Sequence, residues 1–228
     1  GIAVPPVLGG RGTDIRAGFG GADGRPLRAG DALPGGVPSA WAAAWAAELA
    51  AESAASGRGW AAPGWFAPPD GFVPAGGASD ASDGVVLRAV PSDDIDAFAP
   101  EAVERFFRET YRAEPDSDRM GVRLTGPTIE LDVRGEMRSR GVLPGAVQVP
   151  AGGRPIVLGA DCQTTGGYPV IAHVAAVDLP LLAQIRPGDR VRFRPIGLDE
   201  AHRLLMLRER ELRLFAAGLR CRLPDRIV

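Results

Sequence analysis

Residues 141–178 run as short apolar segments broken by Gly and Pro, and this rhythm limits what the chain can fold into. The segments 146–149, 155–158 and 170–177 are short and rich in β-branched residues, so they read as buried strands. Between two of them lies a polar cluster: Asp161, Gln163, Thr164, Thr165, Gly166, Gly167 and Tyr168. A core strand would avoid such a composition. The Gly pair permits positive φ and close backbone approach, so side chains and bare peptide N–H groups could grip a small polar ligand together.

The rest of the chain fits that start. Its 228 residues suffice for one large domain or two small ones. With 45% hydrophobic and 24% charged residues the composition is that of an ordinary globular protein. A net charge of −2 argues against a general nucleic-acid binder, and no apolar run reaches membrane-spanning length. The opening Gly1-Ile2-Ala3-Val4-Pro5-Pro6 lacks the basic and apolar regions of a signal peptide, so a cytoplasmic location is expected, with Cys162 and Cys221 as free thiols. The chain contains no lysine. A P-loop, a biotinyl-lysine and a lysine Schiff base are therefore excluded within it. His173 and His202 have no partner at ligand spacing, and no metal site is expected.

Taken in order, residues 1–36 are turn-rich, with a hairpin turn expected at Asp23-Gly24 and another turn at Gly30-Asp31. Trp41, Trp45 and Leu49 recur every four residues, which predicts a helix over 39–56 capped by Ser39 and ended by Gly57. Residues 57–84 are dense in Gly, Pro and Ser and read as an irregular loop. A strand is expected at 85–90, a helix over 98–111 with Pro100 in its first turn, and an alternating strand at 128–133. Residues 134–140 read as exposed. After the central block come a turn at Pro187-Gly188-Asp189, a strand at 190–193 and a helix over 199–217 stopped by Gly218. Many short strands that do not alternate with helices favour a barrel or sandwich over a doubly wound parallel sheet.

Three chemistries deserve weighing. A triad of Ser139, His173 and Asp161 lacks a nucleophile-elbow sequence, and His173 lies in an apolar strand. Cys162 sits beside Asp161, whose charge would raise the thiol pKa and blunt it as a nucleophile. A site for a small amide or carboxylate finds more support. Gln148 and Gln163 offer donors and acceptors, Tyr168 a donor, Asp161 an acceptor, Arg123 a fork for a carboxylate, and the Gly pair backbone donors. The residues alone leave this site and a mere tight turn between strands equally open.

Longer motifs narrow the choice. They are S-D-R-M-G-V-R-L-T-G-P, E-M-R-S-R-G-V-L-P-G-A-V-Q-V-P, G-R-P-I-V-L-G-A-D-C-Q-T-T-G-G-Y-P and L-A-Q-I-R-P-G-D-R-V-R-F. With the opening G-I-A-V-P-P-V-L-G-G-R-G-T-D and G-R-P-L-R-A-G-D-A-L-P, they make the chain resemble the second subunit of the bacterial 5-oxoprolinase and allophanate hydrolase group, a carboxyltransferase domain of subdomains A and B. The resemblance implies a mainly β fold of tandem cyclophilin-like β-barrels with a few peripheral helices. Residues 1–84 would hold the remainder of the first barrel plus an insertion at about 37–84, and 85–228 the second barrel with a C-terminal helix.

It also implies a subunit of an ATP-dependent complex that opens 5-oxoproline to glutamate, with ATP entering through the complex. The implied partners are a related first subunit and a lactam-utilisation protein. Relatives take part in carboxyl transfer to urea, and others act as regulatory partners of a kinase inhibitor-like first subunit. By motif match, Asp161, Gln163 and Tyr168 are the catalytic candidates. Arg123, Ser139, Gln148, Thr164, Thr165, Gly166 and Gly167 are the substrate-binding candidates. The sequence departs from the family in having Val170, not a basic residue, after G-G-Y-P. It also departs in the 37–84 segment and in the half-barrel expected before Gly1.

Overall fold

A computed structural model describes residues 1–62, 84–132 and 138–222. The chain forms two compact units, Gly1–Phe66 and Ala67–Val228.

In the first unit, β1 (Thr13–Asp14) pairs antiparallel with β2 (Phe19–Gly20). The hairpin closes at 15–18, upstream of the expected Asp23-Gly24. The cause is local: the Asp14 carboxylate accepts the peptide N–H groups of Arg16 and Ala17, both at 3.0 Å, and so builds the turn itself. Asp23 and Gly24 form a further turn with φ of 57° and 65°. Helix α1 (Ala40–Ser56) starts where Ser39 Oγ accepts the Ala42 N–H at 3.2 Å and stops at Gly57, which adopts the left-handed conformation at φ 65°. Trp41 and Trp45 meet one turn apart in a tilted pair, with ring centroids at 5.1 Å. None of the residues of α1 is buried. Residues 63–83, read above as loop, lie outside the described residues.

The second unit is built on a closed seven-stranded barrel. Its strands are β3 (Val85–Pro91), β4 (Tyr111–Ala113), β5 (Gly121–Thr125), β7 (Ala146–Gln148), β8 (Ile156–Leu158), β10 (Val170–Val174) and β11 (Arg190–Pro195), in the order β10-β3-β11-β4-β5-β8-β7. All adjacent pairs are antiparallel except β3 with β11. Closure leaves no free sheet edge, and period-two alternation sends Leu87, Ala89, Leu124, Val147, Val157, Val191 and Phe193 inward, all essentially buried. The mainly β barrel expectation holds for this unit, and among the described residues it is the one barrel that closes. Helix α2 (Pro100–Arg108) packs against the same core, with Phe106 stacked on Phe193 at 4.5 Å.

Three expected elements differ. The helix expected over 98–111 is only α2; Phe98 makes a β-bridge with Leu131, and Tyr111 opens β4. Phe98, Phe106 and Tyr111 all reach the core, but from three different elements in succession, which a helical period cannot distinguish. No strand forms at 128–132, although Ile129 is buried. Its peptide groups are satisfied singly instead, Ile129 N–H by the Gly153 carbonyl and Asp132 N–H by that of Ala97, each at 2.9 Å. Val133, the last residue of that expectation, lies outside the described residues. Finally, α4 (Leu198–Arg222) runs through Gly218. The residues after this glycine are good helix formers, so it is absorbed at a cost of about 1 kcal/mol. Ala201 and Leu204 pack α4 against Ala175, Val177 and Ile196, whereas Leu205 is exposed. A short helix, α3 (Leu179–Leu182), covers part of the core.

One more element sits outside the barrel. Strands β6 (Arg140–Gly141) and β9 (Thr165–Gly166) pair as a two-stranded ribbon. Val142, next along, packs with Ala146, Leu158 and Val170, which the barrel strands turn outward, and with Ile156 and Cys162. The ribbon therefore lies against the outer face of β7, β8 and β10.

Candidate functional site

Strand register places part of the site. The pairs Arg123↔Ile156, Gln148↔Ile156 and Val170↔Gln148 set four residues in one row across β5, β8, β7 and β10. Paired residues share a face, so Arg123 and Gln148 both project outward, roughly 10 Å apart across two strand spacings. A bulge between Val170 and Ala172 lets β10 present Val170 to Gln148 and His173 to Ala146 on this same face.

Gln148 is 2% exposed, and its Nε2 has no hydrogen-bond partner. It lies directly under the ribbon: a Cβ on Gly166 would collide with Nε2. Gly166 is thus required by close approach. The positive φ that the pair permits is not used, since neither Gly166 nor Gly167 is among the glycines in that region. Gln148 supports the ribbon from below, and Thr165 and Gly166 form its upper strand.

The remaining candidates fall into two groups. Near the ribbon, Thr164 is exposed and its carbonyl accepts the Val142 N–H at 2.9 Å. Gln163, Tyr168 and Ser139 are exposed, and Gly167 is partly buried. Farther from it, Asp161 is held by two guanidinium nitrogens of Arg119, Nε to Oδ2 at 2.9 Å and Nη2 to Oδ1 at 3.0 Å. Arg123 Nε pairs with Asp116 Oδ2 at 3.3 Å. Both ion pairs are solvent-exposed, so each contributes little to stability and leaves its members exchangeable. Burial pushes the Cys162 thiol pKa up against an opposing backbone hydrogen bond, with a smaller push from Asp161, which disfavours the thiolate. The structure therefore gathers Gln148, Thr164, Thr165 and Gly166 at the ribbon, and keeps the carboxylate of Asp161 and the guanidinium of Arg123 in surface pairs of their own.

Sequence reasoning missed the groups that tie this region together. Asp94 sits at the head of a 3-10 turn, Ile95–Ala97, that follows β3. Its Oδ2 accepts the Val170 N–H at 3.0 Å and also takes the Arg140 guanidinium from β6. The Asp94 side chain is only 9% exposed. Its turn is fixed in place by the Ser92 N–H donating to the Ile171 carbonyl at 3.1 Å and by the Asp94 N–H donating to Ser92 Oγ at 3.2 Å. His173 faces the same cluster. Partial burial and then Arg140 hold its pKa below the usual value, while Asp93 opposes them. The available signal was the turn sequence P-S-D-D-I-D, which shows capping residues but not what they reach.

A family model described as the carboxyltransferase domain, subdomain A and B, matches residues 1–195. The chain belongs to this family. The matched region of this carboxyltransferase-domain chain ends just short of α4. The chain is 37% identical over 204 residues to the C subunit of the 5-oxoprolinase of Haemophilus influenzae, covering 90% of this chain and 56% of that protein. It is 35% identical over 201 residues to the C subunit of the 5-oxoprolinase of Escherichia coli, covering 88% and 55%. It also resembles the crystal structure of the Kluyveromyces lactis urea amidolyase, with TM-score 0.66 and 25% identity, over 94% of this chain and 13% of that one. The chain thus spans about half the length of the curated relatives it matches. Among the described residues no helix is long and apolar enough to cross a membrane, and no cluster of His, Cys, Asp and Glu could hold a metal ion.

Proposed function

We propose that this chain is the counterpart of the C subunit in a 5-oxoprolinase-type complex that opens the lactam of 5-oxoproline to give glutamate. The observation that carries this reading is the similarity to the C subunits of two 5-oxoprolinases along about nine-tenths of the chain, through the ribbon and its motif. The residues at the ribbon suit an amide ligand. Gln163, Tyr168 and the hydroxyls of Thr164 and Thr165 are exposed beside a backbone segment that Gln148 and Gly166 hold down. These groups both donate and accept, as an amide requires. Asp161 would orient the ligand after exchanging Arg119, and Arg123 would meet its carboxylate after exchanging Asp116.

ATP would be handled by the partner subunits, a related first subunit and a lactam-utilisation protein. The lysine-free composition supports this, because a phosphate-cradling P-loop needs lysine. The complex is proposed to work in the cytoplasm. The test combines the natural full-length chain with both partners and measures glutamate formation from 5-oxoproline. ATP-dependent product supports the reading; no product, beside an active homologous set, rejects it.

A second reading, carboxyl transfer to urea, is favoured by the match to the urea amidolyase structure. It requires a biotinylated partner, so turnover insensitive to avidin counts against it.

A further inference from the structure

We propose that Asp94 is a positioning residue for the segment 163–170. Two contacts, one at the middle of that segment and one at its end, carry the inference. At its far end Asp94 Oδ2 accepts the N–H of Val170, the first residue of β10. At its middle the same oxygen takes Arg140, whose strand partner in the ribbon is Gly166. One carboxylate, rooted in the turn after β3, therefore ties the ribbon to the start of β10. Tyr168 lies between these anchors, Thr165 is on the ribbon strand, and Gln163 and Thr164 lead into it; all four are exposed.

The energetics favour this carboxylate as the fixing group. Asp94 is 9% exposed while Arg140 is 42% exposed. A charge-assisted bond to a largely desolvated oxygen is stronger than a surface pair. The ribbon is two residues per strand, too short to be stable alone, and is supplemented by the Val142 N–H on the Thr164 carbonyl and the Val149 N–H on the Pro169 carbonyl, each at 2.9 Å. Gln148 adds shape beneath Gly166, but its Nε2 makes no hydrogen bond there. Losing the Asp94 charge would therefore free the segment, while the barrel core, which Asp94 does not enter, stays closed.

The consequence for ligand binding rests on the 5-oxoprolinase reading; the consequence for the segment does not. The two are read separately in the natural full-length chain. Hydrogen exchange is followed in wild type, Asp94→Ala and Arg140→Gln. The second variant removes the same contact from its solvent side and so spares the core. Exchange across 138–142 and 163–170 is expected to quicken about tenfold in both, as loss of a charge-assisted bond implies, with 85–90 and 121–125 unchanged. Arg140→Lys, which keeps the charge, is expected to restore most of the protection. In the assembled complex, both charge-removing variants are expected to raise KM for 5-oxoproline about fivefold or more, with a smaller change in kcat.

A purely structural role would lower the active fraction and leave KM alone. Unchanged exchange at 163–170, or quickening spread over the whole barrel in both variants, overturns the proposal. So does quickened exchange with unchanged KM in an active complex. If the wild-type complex does not turn over 5-oxoproline, the functional reading fails, and the exchange measurement alone decides whether Asp94 holds the segment.

Discussion

The inner and outer faces of the barrel strands share one backbone and differ in almost everything else. Inward, β3, β5, β7 and β11 present Leu87, Leu124, Val147 and Phe193, which with Phe106 form a continuous apolar core. Outward, the same strands present Arg88, Arg123, Gln148 and Arg192. Where the outer face is covered, the covering element is specific: the ribbon over Gln148, or the turn after β10 whose Asp178 pairs with Arg88 and accepts its N–H at 2.8 Å. The difference teaches where each property resides. The inner face holds the fold by volume and burial, and tolerates exchange of shape for shape. The outer face holds the motif segment through a few directed contacts, and a single atom added or removed there acts locally.

Truncation inside the core tests the first half of that contrast. Phe106→Ala removes a ring that stacks on Phe193 and is fully buried, so it should destabilise the unit by about 3–5 kcal/mol in a denaturant titration. A loss below that range would mean the core is not the main source of stability.

A methyl group added outside tests the second half. Gly166→Ala drives a Cβ into the buried Gln148 amide and should cost about 1–3 kcal/mol by overpacking. The cost should shrink in a Gln148→Ala background, giving a coupling of about 0.5–3 kcal/mol in a double-mutant cycle. Simple additivity would show that the ribbon does not rest on Gln148.

Protonation probes the outer face more gently. The folded-state pKa of His173 lies below its ordinary value of 6.5. Just below that value the unfolded chain binds more protons than the folded one. Stability therefore rises with pH through this window, is complete above the unfolded pKa, and is lost as pH falls toward the folded pKa. His173→Gln should flatten this slope, measured as the urea midpoint between about pH 5 and 7. An unaltered slope would remove His173 from the cluster.

The smallest effect belongs to the inner face. The Tyr111 hydroxyl is buried without a hydrogen-bond partner, and desolvation pushes its pKa up to about 12. Tyr111→Phe deletes an unsatisfied polar atom and keeps the ring, so thermal melting should show a change within about 1 kcal/mol, on the stabilising side. A clear loss would reveal a partner for the hydroxyl.

Much of the fold was legible along the chain, because a short strand packed on both faces reads as an apolar run and one packed on a single face as an alternation. The strands at 146–148, 156–158, 170–174 and 190–195 follow from it, as do the Ser39 and Gly57 ends of α1. The pattern misled where several elements feed one core. Phe98, Phe106 and Tyr111 are spaced like a helical face, yet they belong to a bridge, a helix and a strand. Ile129 is buried without a ladder. In the site, the Gly pair permitted both close approach and positive φ, and Gly166 uses the close approach alone.

The sequence by itself determined β3, β7, β8, β10 and β11, the family and the polar segment at 161–168, since each is a local pattern or a contiguous motif. Tertiary structure alone decided that Asp94 meets Arg140, 46 residues on, and Val170, 76 residues on. It likewise decided that Gln148 lies beneath the ribbon with its amide against Gly166. The physical reason is that a charged or amide side chain carries no sign of its partner. Which groups meet is set by strand register and barrel closure, and these become fixed only when the whole core packs.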